Sequence, residues 1–234
     1  MRIAVTGGDR RFAYLRGILK DEGHEIQDYP EAAELTICRW PNDFEMPDGK
    51  IVSCGPQYAP DGIVDLLKNE EYQNSIAWMT AEGAVAAAMG RTGCAIRGAE
   101  CMVVGWGRIG RALTEILCAL GGKVTVLSRR SDVADEICGM GAEFGYTSDA
   151  VELIGNMRYV FSTPPHMVIG EDVLQNVRNN AAVIDLASPP YGVDMTAAAR
   201  LGINAWREPG VPGRYCPENA ARAIYDAVRG LIDG

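Results

Sequence analysis

Apolar and polar positions alternate in two different ways along this chain. In the first third, short apolar runs bounded by turn formers predict strands at residues 2–7, 25–29, 34–39 and 50–54. Pro30, Pro41 and Pro47 punctuate these runs. Between the first two, Leu15, Ile18 and Leu19 recur at helical spacing over residues 12–22, and Gly23 marks a stop. The pattern predicts a small open α/β domain over residues 1–75.

Charged and amide residues at 69–74 then interrupt the apolar pattern and suggest a break. The alanine-rich stretch from Thr80 to Met89 has high helix propensity, so residues 75–93 read as one helix with Thr80 and Glu82 near its start. This helix, within a connecting segment over residues 76–98, joins two domains. From Glu100 onward the alternation becomes regular. Strands are predicted at 101–105, 123–128, 143–146, 158–163, 181–187 and 203–206, with helices near 109–120, 132–140, 149–156, 170–176 and 195–200. Apolar strands alternating with helices imply a parallel, doubly wound sheet over residues 99–216. Residues 217–234 close the chain with a helix over about 217–232, carrying proline at its first turn and placed to return to the first domain. The expected fold class is thus two-domain α/β.

Composition narrows the ligands. The 234 residues, 47% hydrophobic and 23% charged, suit an ordinary globular protein and exclude wholesale disorder. Lys and Arg total 22 against 31 acids, for a net charge of −9, and no basic block is longer than a pair. Nucleic acid and anionic membrane are poor partners for such a chain, whereas a small anion can still be held by local arginines. The seven cysteines form no CxxC, and only His24 and His166 are present, so buried thiols in a reducing compartment are expected and no metal site. No signal-peptide core or bilayer-length apolar run is seen, and a cytoplasmic location is expected.

The chemistry is concentrated at Gly105-Trp106-Gly107-Arg108-Ile109-Gly110, a GxGxxG between an apolar strand and a helix. Gly105 permits the turn, Gly107 lets backbone approach a pyrophosphate, and Gly110 lets helix and strand pack closely. This predicts a Rossmann dinucleotide site. NAD-type sites place an acid about 20 residues on, at the end of the next strand. Here Ser128-Arg129-Arg130-Ser131 stands at that place, which favours the 2′-phosphate of NADP(H) over NAD. Three later segments are expected as loops at the carboxyl ends of strands: Ser162-Thr163-Pro164-Pro165-His166, Asp185-Leu186-Ala187-Ser188-Pro189, and residues 208–214. The first two supply further cofactor contacts (Ser162, Thr163, Pro164, Asp185, Leu186, Ala187), and His166 is an acid–base candidate.

Taken together, Asn74-Ser75-Ile76, Thr80-Ala81-Glu82-Gly83-Ala84, Val103 through Gly110, Ile184-Asp185-Leu186-Ala187-Ser188-Pro189 and Pro209-Gly210-Val211-Pro212-Gly213 resemble the dipicolinate synthase family, specifically its A-type subunit. The opening, Arg2 through Arg10, is similar too. The resemblance covers residues 75 to the end well and the first third only at its start, and residues 28–75 look shortened. It implies NADP-dependent oxidation of dihydrodipicolinate to dipicolinate during spore formation, with a flavoprotein-like second subunit for partner and a homo-oligomeric state.

A dicarboxylate substrate needs fixed donors. Arg10, Arg11, Gly8, Ser188 and Gly213 are the expected substrate contacts. Thr80, Glu82, His166 and Arg214 are the expected catalytic group, with Glu82 as proton acceptor or orienter, or else a helix-stabilising acid of the first turn. Two other readings remain open. One is a 2-hydroxyacid-dehydrogenase-like oxidoreductase, which would call for a histidine near residues 208–215, where none stands. The other is a non-catalytic NADP-binding subunit.

Overall fold

The structure is a computed structural model that describes residues 1–42, 44–45 and 47–233. The chain divides into two compact units, Met1–Met79 with Val211–Gly234, and Thr80–Gly210.

The first unit is a five-stranded parallel sheet. Its strands are β1 (Arg2–Val5), β2 (Glu25–Gln27), β3 (Leu35–Trp40), β4 (Lys50–Pro56) and β5 (Val64–Asp65), in the order β2-β1-β3-β4-β5. Helix α1 (Arg10–Asp21) follows β1, because the Asp9 carboxylate caps it by accepting from the N–H of Arg11. Phe12, Leu15 and Leu19 form its buried face. The C-terminal helix α9 (Pro217–Ile232) belongs to this unit and presents Ala221, Ile224, Tyr225, Val228 and Ile232 at helical spacing to the same core as Ile3, Val5, Leu35, Ile37 and Val52.

Helix α2 (Glu70–Thr92) begins well before the expected start at residue 75. The polar stretch at 69–74 is its beginning: Asn69 Oδ1 accepts from the Tyr72 N–H at 2.9 Å, and Glu70 and Glu71 suit the positive end of the helix. Polarity that looked like a break is therefore a cap. The short strand β5, paired through Val52–Val64 and Ser53–Asp65, carried too few residues to show a period.

The second unit holds β6 (Glu100–Val104), β7 (Lys123–Ser128), β8 (Glu143–Tyr146), β9 (Tyr159–Ser162), β10 (Ala182–Asp185) and β11 (Ala205–Arg207). All pair in parallel, in the order β11-β10-β9-β6-β7-β8. Read from the other edge, this is the 3-2-1-4-5-6 order of a doubly wound dinucleotide fold. The strands read as unbroken apolar runs because both faces are covered. Cys101 and Val103 of β6 enter one core with Leu113 and Leu117, while Met102 and Val104 enter another with Ile154 and Leu174. Helix α3 (Arg108–Ala119) buries Gly110, Leu113, Thr114 and Leu117 along one stripe.

Helices α4 (Ala134–Gly139), α5 (Ala150–Leu153) and α6 (Glu171–Leu174) are shorter than expected from periodicity, with 3₁₀ turns at Ser131–Val133, Thr147–Asp149 and Ile154–Asn156 flanking the first two, whereas α7 (Met195–Arg200) spans the expected residues. Residues 208–214, expected as a loop, instead run into a short helix α8 (Val211–Tyr215). Pro212 is tolerated there because the first turn of a helix leaves its N–H without an intrahelical partner anyway.

Among the described residues no helix is long and apolar enough to cross a membrane. Burial pushes the thiols of Cys54 and Cys101 up to about 12, which leaves both as small inert apolar groups.

Leu113 of α3 is fully buried. Leu113→Ala is expected to cost about 3 kcal/mol in urea unfolding. A loss below about 1 kcal/mol, the range of ordinary surface changes, would mean that α3 is not packed as described.

Candidate functional site

The site is built where β6 ends. In a doubly wound sheet the crevice opens beside the strand from which the order runs off in both directions, and β6 lies between β7 and β9. Gly105 follows β6 directly with φ of 99°. A Cβ there would also lie 2.5 Å from Thr163 Oγ1, which itself donates to the Val104 carbonyl at 2.9 Å. Gly110 is tighter still, since a Cβ would fall 2.1 Å from the Gly105 carbonyl oxygen. A Cβ on Gly107, by contrast, would meet nothing within 4 Å. Gly107 is the N-cap of α3 and supplies no capping side chain. The first backbone N–H groups of α3 therefore lack a side-chain acceptor and suit a diphosphate.

A cavity of about 440 Å³ opens at this turn. Its lining brings together Gly105, Trp106 and Gly107 from the turn, Ser128, Arg129 and Arg130 from the end of β7, and Thr163, Pro164 and His166 after β9. Leu127, Val133, Thr147, Pro165 and Val168 complete the lining. Of these, Leu127 was legible as the last inward residue of an apolar strand. Thr147 carried no signal, because it reaches the cavity through the turn after β8.

The charges around the cavity are largely pre-arranged. Arg130 is held by Asp132 through Nε–Oδ1 at 3.0 Å and Nη2–Oδ2 at 2.7 Å. Both side chains are 66% exposed, so solvent screens this pair and a phosphate can compete for the guanidinium. The Ser128 hydroxyl accepts from the Arg130 N–H at 3.1 Å. At the rim, Trp106 Nε1 donates to Glu136 at 3.1 Å, and Arg111 pairs with the other oxygen of that carboxylate at 2.8 Å. Arg111 also lies 5.4 Å from the centroid of the Trp106 ring.

Several expected contacts have other places. Arg108 is exposed at the start of α3, Ile109 packs on the core, and Gly110 is buried under the turn. The Asp185 carboxylate is buried and accepts from the N–H groups of Ala187, Gly192 and Val193 at 3.1, 3.2 and 3.3 Å. Desolvation raises its pKa, and the three N–H donors together with Arg207 offset that only in part. Its role is to hold the loop that includes Leu186, Ala187 and the exposed Ser188. Ser162 is fully buried, and its hydroxyl finds no partner among the described residues.

In the first unit, Arg11 is tied to Asp9, with Nε at 3.0 Å from both carboxylate oxygens. Gly213 packs against that same carboxylate, 3.0 Å from where its Cβ would stand. Arg10, Gly8 and Arg214 are exposed, and Thr80 is buried. Glu82 is exposed in the middle of α2, so it is not an acid of the first turn.

Residues 66–190 match the family described as D-isomer specific 2-hydroxyacid dehydrogenase, NAD binding domain. The chain belongs to that family. Within it, the chain resembles the A-type subunit of dipicolinate synthase. It is 31% identical over 170 residues to that subunit from Bacillus subtilis (strain 168), a stretch that spans 73% of this chain and 57% of that protein. The match thus takes in a little over half the length of that relative.

The fold agrees with the crystal structure of the corresponding dipicolinate synthase subunit from Bacillus halodurans, at a TM-score of 0.86 and 23% identity over 100% of this chain and 98% of that one. A transhydrogenase from Sinorhizobium meliloti shares it more distantly, with a TM-score of 0.74 and 13% identity over 99% and 94% of the two chains. By its family match the second unit contains an NAD(P)-binding domain, and the glycine turn, the open Gly107 and the adjoining cavity fit such a nucleotide.

Gly110→Ala is expected to destabilise the second unit by about 2–3 kcal/mol and to abolish nucleotide binding, because the added methyl has only backbone to displace. Thermal unfolding and fluorescence titration of the variant check this, and full retention of both would contradict the packing at the turn.

Proposed function

We propose that this chain oxidises dihydrodipicolinate to dipicolinate with NADP+. The observation that carries the cofactor choice is the end of β7. Ser128, Arg129 and Arg130 line the cavity there, and Arg129 has no carboxylate partner among the described residues. An arginine fork matches a phosphate bidentately, while a ribose with free hydroxyls gains little from it. The substrate choice rests on the likeness to the B. subtilis protein and on the segments that carry it.

The reaction removes one hydride and one proton from a dihydropyridine ring and leaves an aromatic pyridine. Bound NADP+ supplies the hydride acceptor. What the protein contributes is position: a fixed diphosphate, a fixed ribose phosphate, and a site that holds the ring. Glu82 is assigned the proton. His166 shares the cavity with the glycine turn and Arg129, which suits a contact to the nucleotide better than a proton relay. A flavoprotein-like second subunit remains the partner that the family likeness suggests.

Calorimetric titration tests the cofactor. NADP+ is expected to bind at least tenfold more tightly than NAD+, and Arg129→Met to erase that preference while leaving NAD+ affinity unchanged. A preference for NAD+ in the wild-type chain would overturn the assignment.

Steady-state oxidation of dihydrodipicolinate tests the chemistry. Glu82→Gln is expected to lower kcat at least tenfold with the KM for NADP+ unchanged, and His166→Gln to raise that KM with kcat unchanged. An active wild-type chain whose kcat is indifferent to Glu82→Gln removes the proton assignment. A chain that binds NADP+ but shows no turnover, alone or with a partner subunit, removes the reaction.

A further inference from the structure

The first unit has its own point of strand-order reversal. Strand β1 lies between β2 and β3, so the order runs off in both directions from it, as it does from β6 in the second unit. In open parallel sheets the crevice at the carboxyl ends of such strands is where ligands bind. A cavity of about 450 Å³ opens at that place in the first unit, lined by Thr6, Gly7 and Gly8 after β1, Arg39 and Asn42 at and beyond β3, and Pro56 at the end of β4.

Its chemistry is that of an anion site. Arg39 is half-buried and has neither a carboxylate nor a hydrogen-bond partner among the described residues. The neighbouring cation, Arg11, is not available in the same way, because Asp9 engages it through both carboxylate oxygens. The N–H groups of Gly7 and Gly8 donate to no protein acceptor among the described residues.

The glycines are needed for reasons of space as well. A Cβ on Gly7 would lie 2.3 Å from the Phe12 ring, whereas one on Gly8 would meet nothing within 4 Å, so the backbone at Gly8 is open to an incoming group. A guanidinium that no described carboxylate engages, set beside two such N–H donors, makes a local positive field that attracts an anion even in a chain of net charge −9.

We infer that this cavity is a carboxylate site for the substrate, with Arg39 as its cation and the Gly7–Gly8 backbone as its further donors. The inference deepens the proposed oxidation of dihydrodipicolinate and rests on it for the identity of the acid. A planar carboxylate takes two parallel hydrogen bonds from a guanidinium, and its remaining lone pairs accept from backbone N–H groups. Lysine at this position would keep the charge and lose the fork.

The test is calorimetric titration of the full chain, saturated with NADP+, using dipicolinate, picolinate, pyridine and pyruvate as probes. The wild-type chain is expected to bind dipicolinate at least tenfold more tightly than picolinate and to bind pyridine not at all. Arg39→Met is expected to weaken dipicolinate at least tenfold and to shrink its margin over picolinate, with Arg39→Lys between the two. NADP+ affinity and the amide NMR spectrum outside the cavity should stay as in the wild type, which separates a lost contact from a lost fold.

Wild-type affinity for dipicolinate in folded Arg39→Met would overturn the site, as would a wild-type chain that binds none of the acids. Arg39-dependent binding of pyruvate with no binding of dipicolinate would keep the carboxylate site and remove the dihydrodipicolinate reading instead.

Discussion

The second unit depends on how closely one helix approaches one strand. Helix α3 starts so near β6 that the missing Cβ of Gly110 would stand 2.1 Å from the Gly105 carbonyl oxygen. That contact fixes the direction of α3 and leaves its first N–H groups beside an open Gly107. A larger residue would tilt the helix and turn those donors away from the point where β7 and β9 diverge. The nucleotide site is thus a consequence of backbone packing, and the side chains around it refine what it accepts.

Those side chains show a division among the arginines. Arg11 is tied to Asp9, Arg111 to Glu136, and Arg130 to Asp132. Buried or half-buried pairs such as Arg11 with Asp9 hold backbone in place, here the start of α1, the turn after β1 and the contact with Gly213. Arg129 and Arg39 are not bound in this way among the described residues and line the cavities of the two units. In an acidic chain the pairing state of a cation says more about its use than its position in the sequence does.

Membership of the NAD-binding domain family, matched over residues 66–190, accounts for most of the second unit's parallel sheet and for the glycine turn. The end of β11 carries a buried acid in a polar cluster. Glu208 is buried, accepts from Trp206 Nε1 at 2.8 Å and pairs with Arg91 at 3.6 Å, while Arg91 lies over the Trp206 ring at 4.7 Å. No histidine stands in residues 208–215, where the family alternative would place its acid–base group.

Much of the second unit was legible in the sequence, because strands buried on both faces read as unbroken apolar runs and helices buried on one face read at a period near four. The glycine spacing, set between a strand and a helix, located the nucleotide site for the same local reason. What the sequence misrepresented was local polarity. Asn69, Glu70 and Glu71 looked like a linker and are the capped start of α2, and residues 208–214 looked like a loop but run into the helix Val211–Tyr215. What it could not contain was which of several charges would pair. Arg10, Arg11 and Arg39 are equivalent as letters, and only the tertiary structure commits Arg11 to Asp9 and sets Arg39 on a cavity. The chain by itself determined the elements and the nucleotide turn, since both follow from contacts between near neighbours. The allocation of cations between structure and ligand was decided only on folding, because it depends on how the turns after β1 and β7 close Arg11 on Asp9 and Arg130 on Asp132 and on which groups the sheet order brings beside the others.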